Sequence, residues 1–244
     1  MQADAQIRLA IWSVPRTIST AMMRSWGNRP DTYVCDEPLY AHYLQVTGAR
    51  HPGAGEVIRC HEADWRKVVA WLTGPVPEGK RIFYQKQMAH HLLPQIGDEW
   101  LASLTNCFLI RDPAEMLPSL LRFLPHAALA DTGLPQQVAL FDRMRRETGR
   151  TPPVVDAADV LRDPRGTLGR LCEAVGVPFM EKMLAWPPGR RPTDGIWAKY
   201  WYASVEESTG FRPPAAHRGP APNPDPGLLR DCEDLYRQLY EARL

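Results

Sequence analysis

Two stretches of this sequence combine residue types that hold anions. The first, Ser13-Val14-Pro15-Arg16-Thr17-Ile18-Ser19-Thr20, joins an apolar run to a helical pattern. A loop from a buried strand into a helix start aims several backbone N–H groups at one point, and the helix dipole adds partial positive charge there. Arg16 brings a full charge, and Thr17, Ser19 and Thr20 bring hydroxyl donors. That set suits a phosphate or a sulfate; it also suits a plain helix cap by Thr17 or Ser19. The second stretch is Arg111-Asp112-Pro113, with Ser119 about two helical turns further on. An arginine at the carboxyl end of a central strand stands where open α/β sheets bind ligands, and with Ser119 it can clamp a second phosphate. The competing reading is a surface Arg–Asp pair before a Pro-started helix. The nucleotide loop G-x-x-x-x-G-K-[ST] is absent, which counts against an ATPase or GTPase.

These residues need a scaffold, and the patterning supplies one. Ile7–Trp12, Tyr33–Cys35, Arg81–Gln85, Asn106–Ile110 and Pro153–Asp156 read as short strands. Helical patterns run over Ser19–Gly27, Asp64–Leu72 with Asp64 as N-cap, Ala114–Phe123, Pro135–Arg146, Asp163–Gly176 and Leu228–Leu244. Alternating strands and helices predict an α/β fold of three layers, with a central, mainly parallel five-stranded sheet flanked by helices. The expected organisation is a single domain over 1–244. It comprises a core at 7–185, a covering segment rich in Pro and aromatics at 186–226, and a C-terminal helix at 227–244. From Pro178 to Pro226 the chain carries ten of its 24 prolines. Trp197, Tyr200, Trp201 and Tyr202 lie in the same stretch, so it reads as ordered loops around one or two short helices rather than a disordered linker.

The 244 residues carry a formal net charge of +1, so no global field favours nucleic acid or anionic membrane, and any anion specificity is local. Five scattered cysteines include no C-x-x-C pair, which argues against a metal site and for reduced thiols. The polar stretch before Ile7 lacks the features of a secretory signal, and no apolar run reaches membrane-spanning length. The expectation is a cytoplasmic protein with a small-molecule partner, no nucleic acid, no membrane and no metal. The sequence leaves its oligomeric state, a homodimer included, open.

Pro15-Arg16-Thr17-Ile18-Ser19-Thr20 resembles the 5′-phosphosulfate loop of P-loop sulfotransferases that use 3′-phosphoadenosine 5′-phosphosulfate. Arg111 with Ser119 is similar to that family's 3′-phosphate pair. Val155–Pro164 resembles the family's strand, acidic turn and Asp-Pro, and Leu171–Pro178 the helix that closes it. The likeness spans about residues 7 to 185. The sequence departs from the pattern at Ile18, where the family has glycine, and at Ala21, where a tryptophan often stacks on adenine. Of the family's late Arg-Lys-Gly segment only Arg218-Gly219 remains.

The resemblance implies transfer of a sulfuryl group to a small hydroxyl- or amine-bearing acceptor, with Arg16 as the cation beside the leaving group. Glu37, in Asp36-Glu37-Pro38-Leu39-Tyr40, is similar to a glutamate that serves as base in carbohydrate-type and bacterial members. His90 and His91, in Lys86–Pro94, resemble, with a spacing longer by two residues, the Lys-x-His-Leu-Pro run of cytosolic members, where histidine is the base and Lys86 would meet the sulfuryl group, a surface lysine being its rival role. An imidazole with its ordinary pKa suits proton transfer at neutral pH, whereas a carboxylate needs burial to raise it. Glu37 and His90 both stand as candidates. Tyr40, His42, Tyr43, Trp197 and Trp201 are candidate pocket walls, with core packing the rival role for Trp197 and Trp201. The rival functions are a P-loop kinase-like phosphotransferase, which needs a loop lysine and a magnesium carboxylate, and a non-catalytic nucleotide-binding protein.

Overall fold

In a computed structural model, which describes residues 6–212 and 222–244, five strands form one sheet in the order β2-β3-β1-β4-β5, every neighbouring pair parallel. They are β1 (Ile7–Ser13), β2 (Thr32–Asp36), β3 (Ile82–Met88), β4 (Thr105–Ile110) and β5 (Val154–Asp156). The helices are α1 (Ser19–Gly27), α2 (Tyr40–Thr47), α3 (Ala54–Cys60), α4 (Trp65–Thr73), α5 (Pro113–Leu121), α6 (Leu134–Thr148), α7 (Ala157–Arg162), α8 (Pro164–Ala174), α9 (Ala198–Trp201), α10 (Ala203–Glu206) and α11 (Pro226–Tyr240).

Side chains alternate across a strand, and that alternation makes the three layers. From β1, Ala10 and Trp12 enter a core that includes Phe83, Phe108, Val68 and Leu72 of α4, Phe141 and Met144 of α6, and Leu239 of α11. Leu9 and Ile11 enter the opposite core with Tyr84, Leu109, Met22, Met23 and Trp26 of α1, and Leu168 and Leu171 of α8. Helix starts are marked by aspartates. Asp64, Asp112, Asp156, Asp163 and Asp225 each cap a helix through a side-chain oxygen, and Pro113, Pro164 and Pro226 follow at the first helical position. No helix among the described residues is long and apolar enough to cross a membrane.

Several elements differ from the sequence expectation. β3 runs on to Met88, because Gln85, Lys86 and Gln87 are buried there and interrupt the apolar signal that would have announced the strand. Helices α2 and α3 have no clear apolar stripe; α2 ends at Gly48, whose φ of 65° closes it in a left-handed cap. The last helix stops at Tyr240, after which Arg243 bridges Val154 and the Leu244 N–H donates to the Val154 carbonyl.

Candidate active site

The carboxyl ends of β1, β2, β3 and β4 open onto a cavity of about 770 Å³. It is lined by the loop Pro15–Ala21, by Glu37 and Lys86, by His90 and His91, and by Arg111 and Ser119. The chain crosses from β3 to β4 over the central β1, and this reversal places the crevice at the switch point of the sheet.

The loop does not spend its hydroxyls on a helix cap. Ile18 is the N-cap of α1 and no side chain caps the helix, while Thr17 Oγ1 donates back to the Val14 carbonyl at 3.1 Å. The first amides of α1 are thereby left for a ligand. Ile18 takes φ −81°, an ordinary value that needs no glycine; the left-handed position in this loop is Arg16, at φ 64°. Arg16 Nε donates to Ser119 Oγ at 3.0 Å, its guanidinium lies 5.0 Å over the Phe123 ring, and Arg111 Nη1 donates to the Arg16 carbonyl at 2.9 Å. Burial, with Arg111 adding repulsion, lowers the Arg16 pKa from its usual value. Arg111 meets Glu115, itself 54% exposed, and among the described residues Arg16 has no carboxylate partner. Among the described residues, Glu115 is the one carboxylate within ion-pair distance of these two guanidinium groups.

At the end of β2, Asp36 and Glu37 meet Lys86. Lys86 Nζ donates to Asp36 Oδ1 at 2.8 Å, to Glu37 Oε1 at 2.5 Å and to Tyr202 OH at 2.8 Å. Lys86 and Asp36 are each 2% exposed and Glu37 is 12% exposed. Glu37 sits at φ 44°, held in its turn by its N–H to the Lys86 carbonyl at 2.9 Å. Burial raises the Glu37 pKa, Lys86 opposes the rise and Asp36 adds to it. Lys86 stays an ammonium, since its two carboxylates outweigh its own burial. Only one Glu37 oxygen takes part in a hydrogen bond among the described residues. Among the described residues, Arg16 and Glu37 are two of three non-glycine residues at positive φ, so backbone strain concentrates at this site.

His90 and His91 form a 3-10 turn after β3 and pack in an aromatic group. His91 stacks on Tyr40 at 4.8 Å, Tyr43 stands edge-on to His90 at 5.2 Å, and Tyr40 OH meets His51 Nδ1 at 2.8 Å. Burial, then His51, pushes the His90 pKa down to about 3; burial, then His90, holds His91 well below its ordinary value. Among the described residues neither Nδ1 has a hydrogen-bond partner. These rings are neutral and weakly basic.

Tyr40, Tyr43 and Trp201 line the cavity. His42 and Trp197 do not, because packing claims both. His42 Nδ1 faces the Ala63 carbonyl at 2.9 Å, and Trp197, 2% exposed, lies edge-on to Tyr40 in a core cluster. Arg218 and Gly219 lie outside the described residues. The structure adds Asp36, Arg50, His51, Phe123 and Tyr202 to the neighbourhood of the site. The adjacent carboxylates Asp36-Glu37 at a strand end were a readable signal; nothing in the sequence around His51 points to the cavity. Among the described residues, no group of three or more His, Cys, Asp or Glu is placed to hold a metal ion.

Over 228 residues the chain is 35% identical to branched-chain-amino-acid aminotransferase-like protein 2 of Arabidopsis thaliana, covering 93% of this chain and 40% of that one. Over 231 residues it is 37% identical to the corresponding protein 1 of the same plant, with the same coverage. The chain thus spans about two fifths of the curated relatives it matches. The structure of a sulfotransferase domain from the curacin biosynthetic pathway shares the fold, with a TM-score of 0.50 and 15% identity over 99% of this chain and 93% of that one. The family model described as the sulfotransferase domain matches residues 7–242, so this chain belongs to the sulfotransferase-domain family.

Proposed function

We propose that the chain transfers a sulfuryl group from 3′-phosphoadenosine 5′-phosphosulfate to a small hydroxyl- or amine-bearing acceptor, with Glu37 as the base. The observation that carries the reading is the pairing of Arg16 and Arg111 around Ser119 beside the uncapped start of α1. Two cations with one exposed counter-ion suit a phosphate dianion, and free helix amides suit a second anionic group. A ligand with two phosphate-type groups fits this set.

When bound, that donor supplies the activated sulfuryl group. Arg111 and Ser119 would hold one phosphate, the amides from Ile18 to Thr20 would hold the other, and Arg16, bonded to Ser119, would be the cation beside the leaving group. Glu37 takes the acceptor proton on the oxygen that Lys86 leaves free. A carboxylate raised by burial is a better base near neutrality than an imidazole held near 3, and this favours Glu37 over His90. Lys86 holds Glu37 in place and keeps positive charge beside the cavity. Tyr40, Tyr43 and Trp201 wall the acceptor side, and the segment 186–226 is read as the cover of a single domain.

The deciding experiment is thermal unfolding with adenosine 3′,5′-bisphosphate against ATP plus magnesium. The bisphosphate at 100 times its dissociation constant is expected to add about 2.7 kcal/mol. Stabilisation by ATP and magnesium alone would instead indicate a kinase-like phosphotransferase, and no response to either a non-catalytic chain.

A further inference from the structure

Lys86 is shared between two carboxylates, and the sharing is unequal. Asp36 accepts from Lys86 Nζ, from Tyr202 OH at 2.9 and 2.7 Å through its two oxygens, and from the Gly195 N–H at 3.1 Å. Glu37 accepts from Lys86 alone. The group holds two carboxylates and one ammonium in a buried place, so it carries one negative charge more than it neutralises. A proton entering it settles on the carboxylate with fewer donors and better access. That carboxylate is Glu37, which lines the cavity, whereas Asp36 does not.

We propose that Asp36 and Tyr202 are positioning residues that hold Lys86 and direct the exchangeable proton of the site onto Glu37. Asp36 claims part of the ammonium charge, and Tyr202 makes that claim firm by donating to Asp36 while accepting from Lys86. Trp197 Nε1, 3.3 Å from Tyr202 OH, and the Gly195 amide fix the hydroxyl and the carboxylate from the covering segment. Neither Asp36 nor Tyr202 needs to touch the acceptor. The inference rests on the reading of Glu37 as the base.

The groups facing this cluster come from every side of it. They are Cys35 and Asp36 on β2, Tyr84 and Lys86 on β3, Tyr40 on α2, His61 after α3, His91 after β3, and Tyr202 after α9. Lys86 is the cation among them that contacts Glu37 directly.

The test is a pH titration of the Glu37 side-chain carboxyl by 13C NMR on the whole protein labelled at glutamate, the signal being assigned by its loss in Glu37→Gln. The wild-type midpoint is expected above the ordinary glutamate range. In Asp36→Asn the repelling charge is gone and Lys86 serves Glu37 alone, so the midpoint moves down. In Tyr202→Phe the ring stays packed while Lys86 loses its hydroxyl acceptor and serves Glu37 more fully, so the Glu37 midpoint again moves down. Val46→Ala, at an exposed position on α2 that does not line the cavity, is expected to leave it in place. An unmoved midpoint in Tyr202→Phe, or an equal shift in Val46→Ala, overturns the proposal. If Asp36→Asn does not fold, Tyr202→Phe decides alone. The titration involves no donor and no acceptor. Its failure therefore leaves sulfuryl transfer standing, and a chain that transfers nothing can still show the shift.

Discussion

Arg16 and Ser119 lie 103 positions apart in the sequence, and the Arg16 Nε–H reaches the Ser119 hydroxyl at 3.0 Å. That bond joins the loop after β1 to the helix after β4, so the two stretches proposed to bind anions meet at one place. Arg111 closes it from below through the Arg16 carbonyl.

The seat gives the first prediction. Arg111→Ala is expected to weaken binding of adenosine 3′,5′-bisphosphate by about 1.5–3 kcal/mol, the worth of a charged hydrogen bond. Ser119→Ala is expected to weaken it by about 1 kcal/mol. Isothermal titration of both variants measures this; equal affinity in Arg111→Ala and wild type would remove the phosphate from this seat.

The two base candidates separate by turnover. Glu37→Gln keeps the shape of the site and is expected to bind the bisphosphate normally while release of bisphosphate from the donor slows about 10²- to 10⁴-fold. His90→Gln is expected to retain turnover, because an imidazole with a pKa of about 3 contributes little as a base near neutrality. The reverse pattern would pass the role to His90.

Acid is expected to unfold the protein early, and the histidines set the direction. His90 has a folded pKa of about 3 against an ordinary 6.5, so the unfolded chain binds the extra proton. The stability this contributes is complete above about pH 6.5 and is lost as pH falls toward 3, at up to about 1.4 kcal/mol per pH unit. His91 acts in the same sense. Glu37 acts oppositely: its pKa is raised in the fold, so its contribution fades as pH rises past the ordinary 4.5. Urea unfolding at pH 7, 6 and 5 reads the balance, and His90→Gln should flatten the slope.

A last prediction concerns the attachment of the covering segment. Arg24 of α1 and Asp194 form an ion pair at 2.6 Å with both side chains 3% exposed. Asp194→Ala strands a buried guanidinium and is expected to destabilise the fold by about 3–5 kcal/mol. Chemical denaturation checks this, and a change below about 1 kcal/mol would show that the pair contributes little.

The parts of this site that the sequence exposed are those built from consecutive residues. The loop around Arg16, Arg111 with Ser119 eight residues on, and the Asp-Pro helix starts are local patterns, and the structure places the first two at one cavity. Glu37 was legible for the same reason. Lys86 was legible as a candidate but not as a member of a shared ion group, because its partners Asp36 and Tyr202 are 50 and 116 positions away. Polarity hid the end of β3: Gln85, Lys86 and Gln87 are buried with partners that pattern reading does not see. His42 and Trp197 looked like pocket residues from their neighbours in sequence, yet a helix turns one inward and a turn buries the other.

The long reach of Asp36 has a consequence for how the protein comes into being. Its carboxylate is tied to Gly195 and Tyr202 across 159 and 166 positions, so the strand edge is complete only when the late segment has returned to it. Bringing residues so far apart in sequence together costs loop-closure entropy before the contacts repay it, and pairings of this span are of the kind that slow the folding of a chain.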